Sequence, residues 1–437
     1  MIAPLRAPAV PAVVLGLALH LVGGSVLAVA ARGEETAFSD SEKKRILRHT
    51  PLLPLPPDPT NRWAEDQRAI RLGHRLFFDP RLSGAGDLSC ASCHDPALGF
   101  ADGQRLARGR EVATRHTPSL WNVAHHRFFF WDGRADSLWA QALFPIEEPV
   151  EMDGSRVAIA RLVATDPELR RDYGELFGDP PGGDLVGRLP ETARPLPGHP
   201  GHEDQKAWEA MAPGDRQAVT GVLVNVAKAL AAYERRLLSG GSPFDRFARG
   251  LASGQAEGLA ALSPAAQRGL RLFVGEGGCR VCHSGPFFSD GDFHDVGLPL
   301  DEGETSPDPG RLAGLRQLLD SPYNAAGPWS DAPLGAAARR LEFLAPRSES
   351  YAAIKTPGLR NVALSAPYMH RGQMATLEDV VRFYSTRENA RPAGHHGRES
   401  ILQPLDLTEE QISDLVAFLE SLTGEGPDPA LLRKPGE

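Results

Sequence analysis

The sequence predicts a mainly α-helical chain folded as two similar domains with long loops, and three observations carry that expectation. At 437 residues the chain exceeds what one hydrophobic core usually serves, so two domains are the natural prior. A unit built of an amphipathic helix and a Cys-x-x-Cys-His motif occurs twice, once at Cys90 and once at Cys279. The 45 Gly and 38 Pro then require much of the remaining chain to be irregular.

Residues 1–31 hold one early cation, Arg6, and a mostly apolar run ending in Ala28-Val29-Ala30-Ala31. Small residues after an apolar stretch read as a signal peptide cut near Ala30 or Ala31. The run is also long enough to serve as an uncleaved anchor. On either reading the folded part is expected outside the cytoplasm, in the periplasm. Residues 32–60 form a Pro-rich lead in which helix is disfavoured from 50 to 59.

The first domain is expected over residues 61–240. It opens with a helix over 64–78, whose Ile70, Leu72, Leu76 and Phe77 recur at helical spacing before Asp79-Pro80 stops it. Residues 179–201 are rich in Gly and Pro and read as a surface loop. A helix over 215–239 places Val219, Val222, Leu223, Val226, Leu230, Tyr233 and Leu237 on roughly one face. Gly240-Gly241-Ser242-Pro243 reads as its C-terminal cap.

The second domain is expected over residues 241–425, with 426–437 as a tail. Ser263-Pro264 opens a helix through Gly269, Leu270, Leu272 and Phe273. Leu407-Thr408-Glu409-Glu410 opens the closing one through Ile412, Leu415, Val416, Leu419 and Leu422. Gly73-x-x-x-Phe77 ahead of Cys90 is mirrored by Gly269-x-x-x-Phe273 ahead of Cys279. Phe100-Ala101-Asp102-Gly103 is mirrored by Phe288-Ser289-Asp290-Gly291. The chain is therefore an internal duplication.

All 4 cysteines lie in Cys90-Ala91-Ser92-Cys93-His94 and Cys279-Arg280-Val281-Cys282-His283. Two thiols three residues apart can reach the two vinyl groups of a porphyrin, and the adjacent histidine can ligate the iron beneath it, which is the c-type haem motif. A zinc site would need a further Cys pair or a His nearby. Two copies in matching helical frames favour two covalently bound haems c, with His94 and His283 as iron ligands. The expected fold is then two cytochrome c-like haem domains packed against each other. A formal charge of −9 lacks the basic footprint of nucleic-acid binding and would suit a basic electron-donor protein.

An electron carrier closes both axial positions of each iron, whereas an enzyme acting on peroxide leaves one open. At this point the sequence resembles the bacterial dihaem cytochrome c peroxidase and MauG superfamily over nearly all of the mature chain. The resemblance is carried by Arg115-His116-Thr117-Pro118-Ser119-Leu120-Trp121-Asn122, by Phe130-Trp131-Asp132-Gly133-Arg134-Ala135 and by Pro149-Val150-Glu151-Met152. It continues in Leu359-Arg360-Asn361-Val362-Ala363-Leu364 and in Ala366-Pro367-Tyr368-Met369-His370-Arg371-Gly372.

The resemblance implies that the first haem is the peroxidatic one and that Trp131 relays electrons between the haems. It implies that Glu151 is the catalytic glutamate, with Gln141 and Pro145 in the same pocket. Peroxide cleavage needs a group that takes a proton from one oxygen and returns it to the other, and a partly buried carboxylate can do both. By composition alone Glu151 would read as a solvated acid beside Glu147 and Glu148, and Trp131 as a core aromatic.

Two departures from the family pattern matter. Classical members carry a blocking histidine about sixteen residues past the first motif. Here Leu106-Ala107-Arg108-Gly109-Arg110-Glu111 has none, so the first iron is expected to be open without reductive activation, with His125 and His126 as more distant candidates. The second axial position, methionine in the peroxidases and tyrosine in the MauG branch, falls on Tyr384, with Met369 and Met374 as alternatives. The family's calcium positions fall on His116, Ser365 and Pro367, and histidine is a poor ligand for a hard cation, which argues against calcium. The expected function is reduction of hydrogen peroxide at the first haem, with electrons delivered through the second from a cytochrome c or cupredoxin. The alternatives are MauG-like oxidation of side chains on a partner protein and a non-catalytic dihaem carrier.

Overall fold

The computed structural model describes residues 38–392 and 402–436, and the chain from Asp40 onward forms one compact unit. The expected signal segment lies outside the described residues. Helices dominate. The only sheet among the described residues pairs Phe293–His294 with Ile354–Lys355, antiparallel, with Phe293 opposite Lys355. No helix among them is long and apolar enough to cross a membrane.

One helix crossing is built twice. Helix Gln67–Phe77 is capped by Asp66 and buries Ile70, Leu72, Gly73, Leu76 and Phe77. It packs on helix Pro213–Glu234 at Gly73, where a Cβ would run into the carbonyl oxygen of Ala229. Helix Pro264–Val274, capped by Ser263, packs in the same way on Glu409–Glu420, with Gly269 against the carbonyl oxygen of Asp414. Backbones this close leave no room for a side chain, which is why both repeats carry glycine there. The closing helix starts from a Thr408/Gln411 capping box.

The structure departs from the sequence expectation at three places. Helix Pro213–Glu234 ends before residue 239 and is buried on nearly every face from Val222 to Glu234. Helices Gln67–Phe77, Leu138–Glu147 and Arg156–Thr165 all pack against it, so it is a core helix rather than a one-faced one. Ser242-Pro243 does not cap that helix. It opens the next, Pro243–Ser253, through a Ser242/Asp245 capping box, as proline at the first helical position favours. Residues 179–201 are not simply a surface loop, because they hold helix Gly183–Arg188 and the buried Arg194.

The duplication runs further than its first signals suggest. Thr117-Pro118-x-Leu120-x-Asn122-Val123 recurs as Thr356-Pro357-x-Leu359-x-Asn361-Val362, at an offset of 239 residues that then persists. Asn122 and Asn361 both adopt left-handed backbone, with φ of 57° and 60°, as do Phe130 and Met369, with φ of 64° and 69°. Bridges join Phe129 to Ala135 and Tyr368 to Met374. Ser137 and Thr376 then cap the ten-residue helices Leu138–Glu147 and Leu377–Thr386. The repeats also exchange backbone hydrogen bonds reciprocally: Lys355 N donates to Trp131 O at 2.8 Å, and His116 N donates to His370 O at 2.8 Å. Trp131 and His370 therefore sit where the repeats meet.

Candidate functional site

Each motif histidine is oriented by a carbonyl five or six residues further on. His94 Nδ1 lies 3.0 Å from Phe100 O, and His283 Nδ1 lies 2.8 Å from Phe288 O. Both phenylalanines have positive φ, 59° and 53°. An imidazole whose Nδ1–H is donated to a carbonyl keeps Nε2 free as an iron ligand. Burial lowers the pKa of both rings, favouring the neutral form that a ligand requires. The cysteines of each motif fall within one turn, Cys90–Cys93 after the Ser89 cap and Cys279–Val281 after Gly278.

Beside the second motif is a cavity of about 1300 Å³ whose lining includes Cys279, Cys282, His283, Tyr384 and Trp131. Leu377, Val381, Leu415 and Leu419 add apolar wall. Two thiols and an imidazole at the edge of a large, mostly apolar space fit a covalently held haem. Among the described residues one group could also be read as a metal site, Cys282, Asp290 and His294. It shares a cysteine with the haem motif.

Tyr384, on helix Leu377–Thr386, is close enough to Cys279 and Cys282 for their charges to act on its phenol, whose pKa burial raises. Of the two methionine alternatives, Met369 lines the cavity, whereas Met374 is buried outside its lining.

Trp131 Nε1 donates to His116 O at 2.9 Å. The next residue, Asp132, pairs with Arg115 and Arg134, and Arg115 also grips Asp308 with two bonds of 2.7 Å. Trp131 is thus fixed at both its ring and its backbone. His116, Ser365 and Pro367 do converge on the cavity, but His116 Nδ1 is engaged with Gln104 O at 2.8 Å. His125 and His126 line the cavity of the second motif, and His125 stacks on Phe287 at 4.0 Å.

Glu151 lies on the turn that follows helix Leu138–Glu147, which carries Gln141 and Pro145. Burial raises the pKa of its carboxyl, Arg134 opposes that rise and Glu148 adds to it. Its charge in turn acts on the Cys93 thiol, so the structure brings Glu151 close to the first motif.

Residues 67–253 match the family model described as di-haem cytochrome c peroxidase. The methylamine utilization protein MauG of Methylorubrum extorquens is 32% identical over 437 residues, covering 97% of each chain. The chain belongs to the dihaem cytochrome c peroxidase and MauG superfamily. Cytochrome-c peroxidase IdrP1 of Denitromonas iodatirespirans is 33% identical over 402 residues, which cover 87% of this chain and 89% of its own. Among solved structures, the diheme peroxidase BthA from Burkholderia thailandensis superposes with a TM-score of 0.59 at 25% identity, covering 86% of this chain and 91% of that one. Superfamily membership carries two covalently bound c-type haems and an oxidoreductase activity that uses peroxide.

Sequence reading missed two groups around this superfamily site. Arg360 and Asp245 form a buried pair with bonds of 2.9 and 3.0 Å, and Arg360 Nε also donates to Pro286 O at 2.6 Å, beside the Phe288 turn that orients His283. Arg194 reaches the Glu151 turn from residues read as surface loop. A gapless comparison of residues 117–147 with 356–386 would have exposed the longer repeat. Arg360 lies inside a motif that carries the resemblance, but no local pattern announces its pairing with Asp245 or the contacts of Arg194, because those partners are far away in sequence.

Proposed function

We propose that this chain reduces hydrogen peroxide at the His94 haem, in the periplasm, with electrons from a cytochrome c or cupredoxin arriving through the His283 haem. The two cytochrome c-like domains would span residues 61–240 and 241–425. One observation carries the reading: the equivalent helices of the two repeats bear Pro145 and Tyr384 at the same position. Proline has no atom with which to ligate iron, and tyrosine does. With haems bound, the first iron would then be left accessible to peroxide and the phenol of Tyr384 would close the second.

When bound, each haem supplies an iron that accepts and passes on oxidising equivalents. The chain's own residues handle position and protons. Glu151 takes the proton from one peroxide oxygen and returns it to the departing one, a task suited to a buried carboxyl with a raised pKa. Gln141, one helical turn before Pro145, offers its amide to orient the peroxide. Trp131 stands at the junction of the repeats and lines the cavity of the second haem, which suits it to couple the two centres. Extracytoplasmic placement rests on the two haem motifs and the apolar N-terminal run.

Tyr384 also favours a second reading, oxidation of side chains on a partner protein, because a phenolate stabilises oxidised iron better than a thioether does. EPR of the oxidised protein tests the core proposal, with one high-spin and one low-spin ferric centre expected. Two low-spin centres would make it a carrier. Stopped-flow mixing of Glu151→Gln with peroxide should show a loss of roughly 10²- to 10⁴-fold with full haem content.

A further inference from the structure

We propose that Arg194 is a positioning residue for peroxide cleavage, holding the turn that carries Glu151 in place from both of its ends. The proposal rests on the role of Glu151 given above. Arg194 is 1% exposed. Its Nη1 donates to Glu147 O at 2.9 Å and to Gly154 O at 2.6 Å, so a single nitrogen joins the residues that enter and leave the turn. Nη2 bonds the carboxylate of Asp153, inside the turn, and Nε faces Asp204 at 3.2 Å.

The chemistry of these acceptors explains why a buried cation is used. Glu147 ends helix Leu138–Glu147, so its carbonyl is among those with no partner within the helix, and it lies at the negative end of the helix dipole. A guanidinium there satisfies the carbonyl and offsets that charge. Asp153 has a φ of 52°, a conformation with a steric cost for a side-chain-bearing residue. The Arg194 bond to its carboxylate helps to hold it there.

The strand of chain bearing Arg194 is itself fastened. Ala193 N donates to Ser155 Oγ, and Ser155 Oγ donates to Ala193 O, both at 2.9 Å. Arg161 Nε donates to Pro190 O at 3.0 Å, and Arg161 also bonds Leu189 O. The far side of the turn is held by backbone bonds alone, from Gly84 N to Met152 O at 3.0 Å, from Arg110 N to Glu151 O at 2.8 Å and from Glu111 N to Val150 O at 3.1 Å. Within the turn Glu151 N and Asp153 N donate to Glu148 O at 3.0 and 3.1 Å and Gly154 N donates to Ile146 O at 2.7 Å, and Arg194 braces that closure from outside. Freed of Arg194, the turn would lose that brace, shift, and let more water reach the part-buried Glu151.

The test uses the dihaem protein in four forms: wild type, Arg194→Met, Arg194→Lys and Glu151→Gln, together with the Arg194→Met/Glu151→Gln double variant. Arg194→Met should retain both haems but react with peroxide on the order of 10- to 100-fold more slowly, as misplacement of a reacting group by about 1 Å would cause. Arg194→Lys, which keeps the charge but not the fork, should recover part of the rate. In the Glu151→Gln background the Arg194 change should cost nothing further, since the two act as one unit.

An independent readout needs no turnover. The Glu151 carboxyl band in infrared difference spectra of the resting ferric protein, identified by its absence in Glu151→Gln, should titrate at lower pH in Arg194→Met. Wild-type peroxide kinetics and an unmoved carboxyl titration in Arg194→Met would overturn the positioning role, whatever its thermal stability. If Arg194→Met does not load haem, Arg194→Lys carries the same two outcomes. If Glu151→Gln itself reacts like wild type, the acid–base reading fails instead, and the two failures are told apart.

Discussion

Replacing Arg360 by methionine tests whether the second haem motif depends on a buried ion pair. The side chains of Arg360 and Asp245 are 4% and 5% exposed. Their two bonds, at 2.9 and 3.0 Å, are the carboxylate's contacts to a cation. In Arg360→Met the Asp245 carboxylate keeps its bonds from Ser242 N and Ser242 Oγ but is left charged and buried. Stranding one partner of such a pair costs about 3–5 kcal/mol, a shift of roughly 10²- to nearly 10⁴-fold in the unfolding equilibrium. Pro286 O also loses its donor.

Guanidinium unfolding of the dihaem protein, followed together by far-UV circular dichroism and Soret absorbance, measures this cost. The sign of its pH dependence is fixed. Arg360 holds the Asp245 pKa below its ordinary value, so in wild type the contribution is present above the unfolded pKa and lost as pH falls through the folded one. In Arg360→Met, burial without the cation raises that pKa. The deficit of the variant should therefore shrink on acidification, as the stranded carboxylate takes up a proton. Asp245→Leu added to Arg360→Met should return most of the stability. A loss below about 1 kcal/mol near neutral pH, or a deficit that grows on acidification, would refute the reasoning.

Peroxide reactivity should fall on acidification at a pH above the usual carboxylate range, because burial raises the Glu151 pKa and the base form is the one that takes the first proton. A rate–pH profile of the ferric protein checks this, and Glu151→Gln should lack the inflection. Tyr384→Phe should change the absorption and EPR signature of the second haem while leaving that of the first intact, and unchanged spectra would transfer the ligand role to Met369, which lines the same cavity. Gly269→Val should prevent stable folding or cost about 3 kcal/mol or more, since its side chain would meet the Asp414 carbonyl. Gly73→Val should behave alike at Ala229, whereas valine at the open Gly201 is the neutral control, all three read by thermal melts.

What was legible in the sequence is what short-range patterning encodes. Helices Gln67–Phe77, Pro264–Val274 and Glu409–Glu420 announced themselves by apolar spacing, and the last two also by Ser263 and Thr408, whereas the Asp66 cap, which starts the first helix at Gln67 and not at Ala64, went unread. The haem motifs are local by nature. Long-range contacts were illegible for the converse reason. Helix Pro213–Glu234 shows an apolar face, but the small residues Ala227, Ala229, Ala231 and Ala232 on its other sides allow three helices to surround it, and small residues give no periodic signal. The run at 179–201 looks like loop by composition, yet its Arg194 is buried because its acceptors are carbonyls forty residues and more away. Charge on a Gly/Pro-rich stretch reads as solvated until those acceptors are known.

The duplication itself decides how the site should be read. If both repeats served the same purpose, positions at the 239-residue offset would match in chemistry as they match in backbone, and the framework does: Thr117 and Thr356, Asn122 and Asn361, Gly133 and Gly372, Leu138 and Leu377. The positions proposed as site residues do not. Trp131 corresponds to His370, Gln141 to Val380, Pro145 to Tyr384, and Glu151 to Ala390. Each difference removes a polar or redox-capable group from one repeat or an iron ligand from the other. A shared backbone framework that bears different side chains at the candidate site positions is what two unequal haem sites require. A carrier with two closed irons would need a ligand for the first one, which neither Pro145 nor the histidine-free run at 106–111 supplies, and would have no use for Gln141 and Glu151.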